Sequence, residues 1–239
     1  NTNLSSFKLR KAHLQRADLR YANLQNAFLE KSNLFKALLQ GANLQNASLW
    51  GAKMKGANFE GATWVNGRRC LSPSKDNCVT AQMQLLLRSK KCTKCDFSQM
   101  NLQNSQMRKY KMPKVILNGA NLTRAKWYNM DLSNAKIHRG ILKKTKLYRS
   151  NLTNVDLSES WMPLVRMNRS DLSKANLKKV SAQDASFEGT KLHEAQLQEG
   201  DFQFSEFTEA DLTKANLESA RMDDVTFRDA VFDHVKAHK

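Results

Sequence analysis

The 239-residue chain carries 39 Lys and Arg against 22 Asp and Glu, a formal net charge of +17. Nine Gly and three Pro are too few for collagen, a Gly-rich linker or a turn-rich sandwich, and no apolar run nears the roughly 18 residues of a membrane span. The sign of the charge excludes a wholesale acidic imitation of DNA and points to anionic partners: nucleic acid, an acidic protein, or an anionic membrane or cell-wall surface.

From Leu4 a large apolar residue returns every five positions, at Leu9, Leu14, Leu19, Leu24 and so on to Met54, Phe59 and Trp64. A small residue stands two places before most of them, as at Ala22, Ala27, Ser32, Ala37 and Ala42. A period of five fits neither ordinary element. It is odd, so one face of a strand cannot hold all the large residues. On an α-helix five residues turn through about 500°, so the large residues would spread round the cylinder. The pattern needs a chain that turns a corner every five residues and sends two side chains per unit inward.

Residues 65–96 break the register. This segment opens with Asn66-Gly67, a turn signal, contains Pro73, and reads as a short amphipathic helix from Thr80 to Lys91. In that helix Thr80 is the N-cap, Val79, Met83, Leu86 and Leu87 face the coil, and Arg88, Lys90 and Lys91 lie at the end that favours cations. All four cysteines, Cys70, Cys78, Cys92 and Cys95, fall here. Cys92 and Cys95 have zinc-ligand spacing but Cys70 and Cys78 do not, so no metal is expected. Disulfide stapling is preferred, with Cys70–Cys78 as the first pairing, and reduced structural cysteines are the alternative. Cys95 precedes Phe97 by two and takes an inward small slot.

The five-residue register resumes at Phe97 and runs to Phe232, with only Ala182 placing a small residue at the large position. The organisation is thus N-terminal coils over 1–64, an insert over 65–96, C-terminal coils over 97–234 and a tail over 235–239. At four units per coil, the forty-one units make an all-β solenoid of about ten coils.

Ala17-Asp18-Leu19, Ala22-Asn23-Leu24, Ala120-Asn121-Leu122, Ala175-Asn176-Leu177 and Ala210-Asp211-Leu212 are clean copies of one motif. The chain resembles the pentapeptide repeat proteins, whose motif is approximately Ala-(Asp/Asn)-Leu-x-x. The resemblance implies a right-handed quadrilateral β-helix in which the Asn or Asp binds the backbone at each corner. Some members protect DNA gyrase by imitating duplex DNA with an acidic, two-fold rod. Here the charge is opposite over most of the length, only residues 200–233 are acidic, and Asp233–Lys239 is polar. The stretch Ala62–Cys70, with Ser74 and Cys78, resembles a segment of exported proteobacterial members. A periplasmic or secreted setting is therefore expected, with a cytoplasmic one as alternative, and the start at Asn1 without Met or signal peptide fits a mature or trimmed chain.

No phosphate loop, nucleophile elbow or zinc-protease motif is present, and His13, His138 and His193 take outward positions, with His234 and His238 in the tail. Neither catalysis nor a cofactor is expected. Charge is the informative feature: residues 1–150 hold 28 basic and 6 acidic side chains, and residues 151–239 hold 11 and 16. Because residues twenty apart should stack, one face gathers Arg108, Lys109, Lys126, Lys146, Arg149, Arg166 and Arg169 around two exposed tyrosines, Tyr128 and Tyr148. Cations interleaved with rings suit phosphate contact with base stacking, or docking on an acidic protein. The expected function is a non-enzymatic binding or scaffold protein presenting a rigid basic surface to an anionic macromolecule or acidic protein. The alternatives are a secreted effector, a structural rod or, less favoured, a gyrase-binding mimic. No small-molecule substrate or integral membrane contact is expected, and the uncapped first coil leaves room for a homodimer stacked end to end.

Overall fold

One unit shows how the sequence makes the backbone. In Ala42-Asn43-Leu44-Gln45-Asn46, the two side chains pointing inward, Ala42 and Leu44, are fully buried. Asn43 is bridged in parallel to Asn23 in the coil before and Thr63 in the coil after. The Leu44 and Asn46 N–H groups donate to the Thr63 and Val65 carbonyls at 2.8 and 2.9 Å. The Ala47 N–H donates to the Leu44 carbonyl at 2.9 Å, closing the corner. The Asn43 side chain accepts from the Gln45 N–H at 3.0 Å, an Asx turn that fixes the start of the bend. Asn46, third in the turn, takes φ +59°. Few orphan donors are left, which is why a chain that bends every five residues can still bury its backbone.

The left-handed conformation at the third turn position recurs with lysines, arginines and glutamates, from +51° at Arg149 to +61° at Lys109. Each such residue costs about 1 kcal/mol and persists because the hydrogen bonds on either side over-determine the turn. At some of these corners glycine stands where space is also short. At Gly41, φ +67°, an added Cβ would lie 2.5 Å from the Tyr21 ring.

The computed structural model describes residues 2–65, 67–71, 74 and 86–237. The chain divides into two compact units, Asn1–Ser89 with Asp96–Asn101, and Lys90–Cys95 with Leu102–Lys239. Each is the quadrilateral β-helix expected from the period, with partners twenty residues apart.

In the first unit the core runs from Leu19 to Cys70 with Leu4, Leu9, Leu14 and Ala17 packed partly against it. Phe59 and Trp64 meet edge to face at 5.1 Å, and the Trp64 indole N–H donates to the Ser98 carbonyl at 3.2 Å. The helix stops where the chain reverses at Gly67, φ +76°. Thr63 and Arg69 form an antiparallel bridge, and the Cys70 and Gly61 N–H groups donate to the Ala62 and Cys70 carbonyls. The start of the insert therefore folds back and satisfies the open edge of the last coil, which would otherwise present unpaired donors and acceptors.

The rest of the insert corrects two expectations. Of the expected helix, Leu86–Ser89 is helical, but Lys90 turns to φ +56° and Lys91 is bridged to Lys111, so the helix ends before both. Leu86 is buried, whereas Leu87 is 57% exposed and does not face a coil. Asn66, Pro73, Cys78, Val79, Thr80 and Met83 lie outside the described residues, and with them the Cys70–Cys78 pairing, as does His238. The five-residue geometry resumes at Lys91, earlier than the boundary read at Phe97, because Cys92 fills a large slot. Cys92 and Cys95 are both buried, and their sulfurs form a close pair with Cα atoms 5.7 Å apart, within the range of a disulfide.

The second unit contains the longest extended segments among the described residues. Three parallel strands, β1 (Gln106–Arg108), β2 (Lys126–Tyr128) and β3 (Lys146–Tyr148), stack in the order β1-β2-β3 with Met107, Trp127 and Leu147 aligned inward. The small slots here often hold a hydroxyl. Thr145, Ser160, Ser170 and Ser205 are buried and donate to the carbonyls of Leu122, Ile137, Leu147 and Ala182. Farther along, Phe187 and Phe207 stack at 4.8 Å with Phe202 edge-on to both. Gly200 makes room for that ring, since a Cβ there would lie 2.4 Å from Phe202.

Candidate anion-binding face

In β2 and β3 the residue on either side of the inward one points out, so each strand presents a pair: Lys126 with Tyr128, and Lys146 with Tyr148. Pairing in register places Lys126 beside Lys146, and Lys146 is bridged in turn to Arg166. Cations thus stack on cations at the spacing of one coil, about 4.8 Å. The two tyrosine rings lie 5.5 Å apart, tilted by 36°. Their stacking covers part of each ring, so both are half-buried rather than exposed as the sequence implied. Beneath the column, the Trp127 indole N–H is satisfied by Ser105 Oγ at 2.9 Å.

The end of β1 adds Arg108, and the corner beyond the tyrosine column adds Arg149 and Arg169. With Tyr128, Tyr148 and their neighbours they line a cleft of about 450 Å³. Lys109 occupies the same corner in the coil of β1, and its N–H donates to the Tyr128 carbonyl. The expected columns hold together, with one correction. Arg169 is not a free cation, because Glu188 in the following coil stands 3.7 Å away and also accepts from Asn168. Glu188, Glu206 and Glu209 continue the three basic columns, so the patch ends near Arg166.

The structure also places cations on this face that the column reading missed. Arg124 and Lys144 sit at the corner just before the strands, and with Asn104, Gln106, Lys126 and Lys146 they line a second cleft of about 420 Å³ without a carboxylate. The missing signal was the neighbouring column, Asn104-Arg124-Lys144, which belongs to the preceding face but shares its edge with Lys126 and Lys146. None of Arg108, Lys109, Arg124, Lys126, Lys144, Lys146, Arg149 or Arg166 has an ion-pair partner among the described residues.

Elsewhere, carboxylates are engaged locally. The Arg20 guanidinium holds Asp18 down at about 2 through a 2.6 Å contact, and Arg139 lowers Glu159 in the same way. The histidines stand outside the basic columns: His13 is exposed, His138 contacts Ser158, and His193 contacts Glu194.

A solenoid of five-residue units with its chemistry on outward columns defines the class: a right-handed quadrilateral β-helix. The Pentapeptide repeats family model matches residues 1–34, 32–63, 116–154, 150–193, 170–203, 190–229 and 205–237. The chain belongs to the pentapeptide repeat family. Among solved structures it is similar to HetL, a pentapeptide repeat protein involved in heterocyst differentiation regulation in the cyanobacterium Nostoc, at 25% identity and TM-score 0.55, covering 96% of this chain and 86% of that one. QnrB1, a plasmid-mediated fluoroquinolone resistance protein, aligns at 12% identity and TM-score 0.45, covering 62% of this chain and 90% of that one. Comparison with curated protein sequences gives no match.

Proposed function

We propose that the chain is a non-enzymatic binding protein whose face at β1–β3 holds an anionic macromolecule. The observation that carries this reading is the column Lys126-Lys146-Arg166, stacked in register and flanked by Arg124, Lys144 and Arg149 with no carboxylate partner among the described residues. Like charges directly opposite on a sheet destabilise it. A bound polyanion turns that repulsion into attraction, and releases counterions as it does so. The tyrosine pair beside the column offers a flat apolar surface for whatever carries the charge.

The reading is tested with the triple variant Lys146→Glu, Arg149→Glu, Arg166→Glu on a heparin column and on duplex DNA across a salt series. The variant is expected to elute at markedly lower salt, and the slope of log affinity against log salt to shrink by about three. Unchanged elution would remove the proposal.

A further inference from the structure

The face that precedes the basic strands carries a feature of a different kind. Its outward positions in successive coils read Asn121, Ile141, Trp161, Ser181 and Asp201. Ile141 is buried beside its bridge partner Trp161, which is itself 40% exposed, and Lys143 Nζ stands 5.2 Å from the Trp161 ring centre. At the corner three residues on, Leu164 is 39% exposed and takes φ +58°. Two penalties coincide at Leu164: a left-handed backbone that disfavours a branched apolar residue, and an aliphatic side chain left in water. Among the described non-glycine turn residues at positive φ, only Tyr21, Leu164 and Phe204 are large and apolar or aromatic.

The surroundings differ on the two sides of this platform. One coil back, the Lys144 N–H donates to the Pro163 carbonyl at 3.0 Å, so the Leu164 corner adjoins the cleft lined by Arg124, Lys126, Lys144 and Lys146. Over the next three coils, Ser181, Gln183, Asp201 and Arg221 are joined by contacts of 2.6 to 3.3 Å, which closes the apolar surface with a satisfied polar network. The platform is therefore open toward positive charge and sealed on the other side.

We infer that Trp161 and Leu164 anchor an acidic, amphipathic polypeptide segment whose carboxylates enter the Arg124–Lys146 cleft while an aliphatic or aromatic residue covers the platform. This inference rests on the binding role proposed for the adjoining face and names the class of its partner. A nucleic acid would use the cations and the rings but has nothing larger than a thymine methyl to set against Leu164. A protein segment has both, and a Trp with a cation over its ring and an apolar neighbour suits an interface anchor.

The test uses three labelled probes in fluorescence anisotropy: an acidic peptide of about a dozen residues with one Leu and one Phe, the same peptide with both replaced by Ala, and an oligothymidylate of matching charge. The protein variants are Leu164→Asn and Phe204→Asn. Asparagine is at home at positive φ, so Leu164→Asn is expected to leave the thermal midpoint unchanged or raised, and loss of fold cannot account for lost binding. The Leu- and Phe-bearing peptide is expected to bind the wild type about tenfold tighter than its Ala counterpart, and Leu164→Asn to abolish that advantage. Phe204→Asn, two coils beyond Leu164, is expected to leave all three affinities unchanged. Equal binding of the two peptides, or an unaltered preference in Leu164→Asn, would overturn the inference while leaving the basic-face reading intact. Tighter binding of the oligothymidylate than of either peptide would assign the face to nucleic acid instead. Failure of all three probes to bind the wild type would count against both.

Discussion

Two stretches of the second unit share one backbone, and one of them carries a face that treats charge differently. Beyond residue 170, outward positions one coil apart join opposite charges: Lys174 with Glu194 at 3.7 Å, Lys179 with Glu199 at 3.4 Å, Asp201 with Arg221 at 3.3 Å. Between 106 and 166 the face of β1–β3 sets Lys126 against Lys146 and Lys146 against Arg166 in the same register, while Arg139 and Glu159 pair on another face. The large inward slots are buried in both, from Met107 as far as Leu217. Folding therefore makes one demand on both stretches, and the outward columns are free to differ. Exposed pairs such as those beyond residue 170 are each worth little, so stability alone does not force alternation. It gives no reason either for stacking cations three deep, the arrangement on which the proposed binding face rests.

The strongest way to break this comparison is to attack the shared interior. Leu152→Ala and Leu197→Ala, one in each stretch, are each expected to cost about 2–5 kcal/mol in urea unfolding, with similar losses in the two. A large disparity would mean that the interiors differ after all. A gentler manipulation rewrites one outward position. Lys146→Glu puts a carboxylate between Lys126 and Arg166 and recreates the alternation seen beyond residue 170. Its thermal midpoint is expected to rise by about 1–2 °C while affinity for heparin falls. A fall in the midpoint would show that the stacked cations do not repel.

The smallest effect concerns Asp211, whose carboxyl is held below the usual range, first by the Thr213 hydroxyl and then by its backbone N–H, against a partial burial cost. A depressed folded-state pKa contributes stability that is present above the ordinary carboxylate pKa and lost as pH falls through the folded one. Thr213→Val removes the hydroxyl and keeps the N–H. The variant is expected to be slightly less stable than the parent at neutral pH, with the difference vanishing in strong acid, as followed by unfolding curves across pH.

The interior was legible in the sequence because two inward slots recur without variation of spacing, and the twenty-residue stacking followed from four corners per coil. Legibility failed where a residue played a role foreign to its type. Cys92 fills a large slot that the pattern assigns to Leu or Phe, so the pattern alone places the resumption of the coils one unit late. The amphipathic pattern extends through Lys90 and Lys91 because cations suit a helix end, although the bridge to Lys111 claims that backbone first. On the surface, columns within one face were readable, whereas Arg124 and Lys144 reach the site across a corner, and Glu188 enters it from one coil farther along. Corners and next-coil neighbours are properties of a closed prism, which a one-dimensional register describes only in part.

The bridges between residues twenty apart also govern how such a molecule changes size. Removing twenty residues from the second unit deletes one whole coil and leaves every remaining column aligned with its former neighbours. Removing five leaves the interior periodicity untouched but turns everything downstream by a quarter of the circuit, carrying the tail of each column onto the adjacent side. Length in this architecture is counted in fives for the core and in twenties for the surface. Lineages that preserve a binding face can gain or lose material only by the larger step.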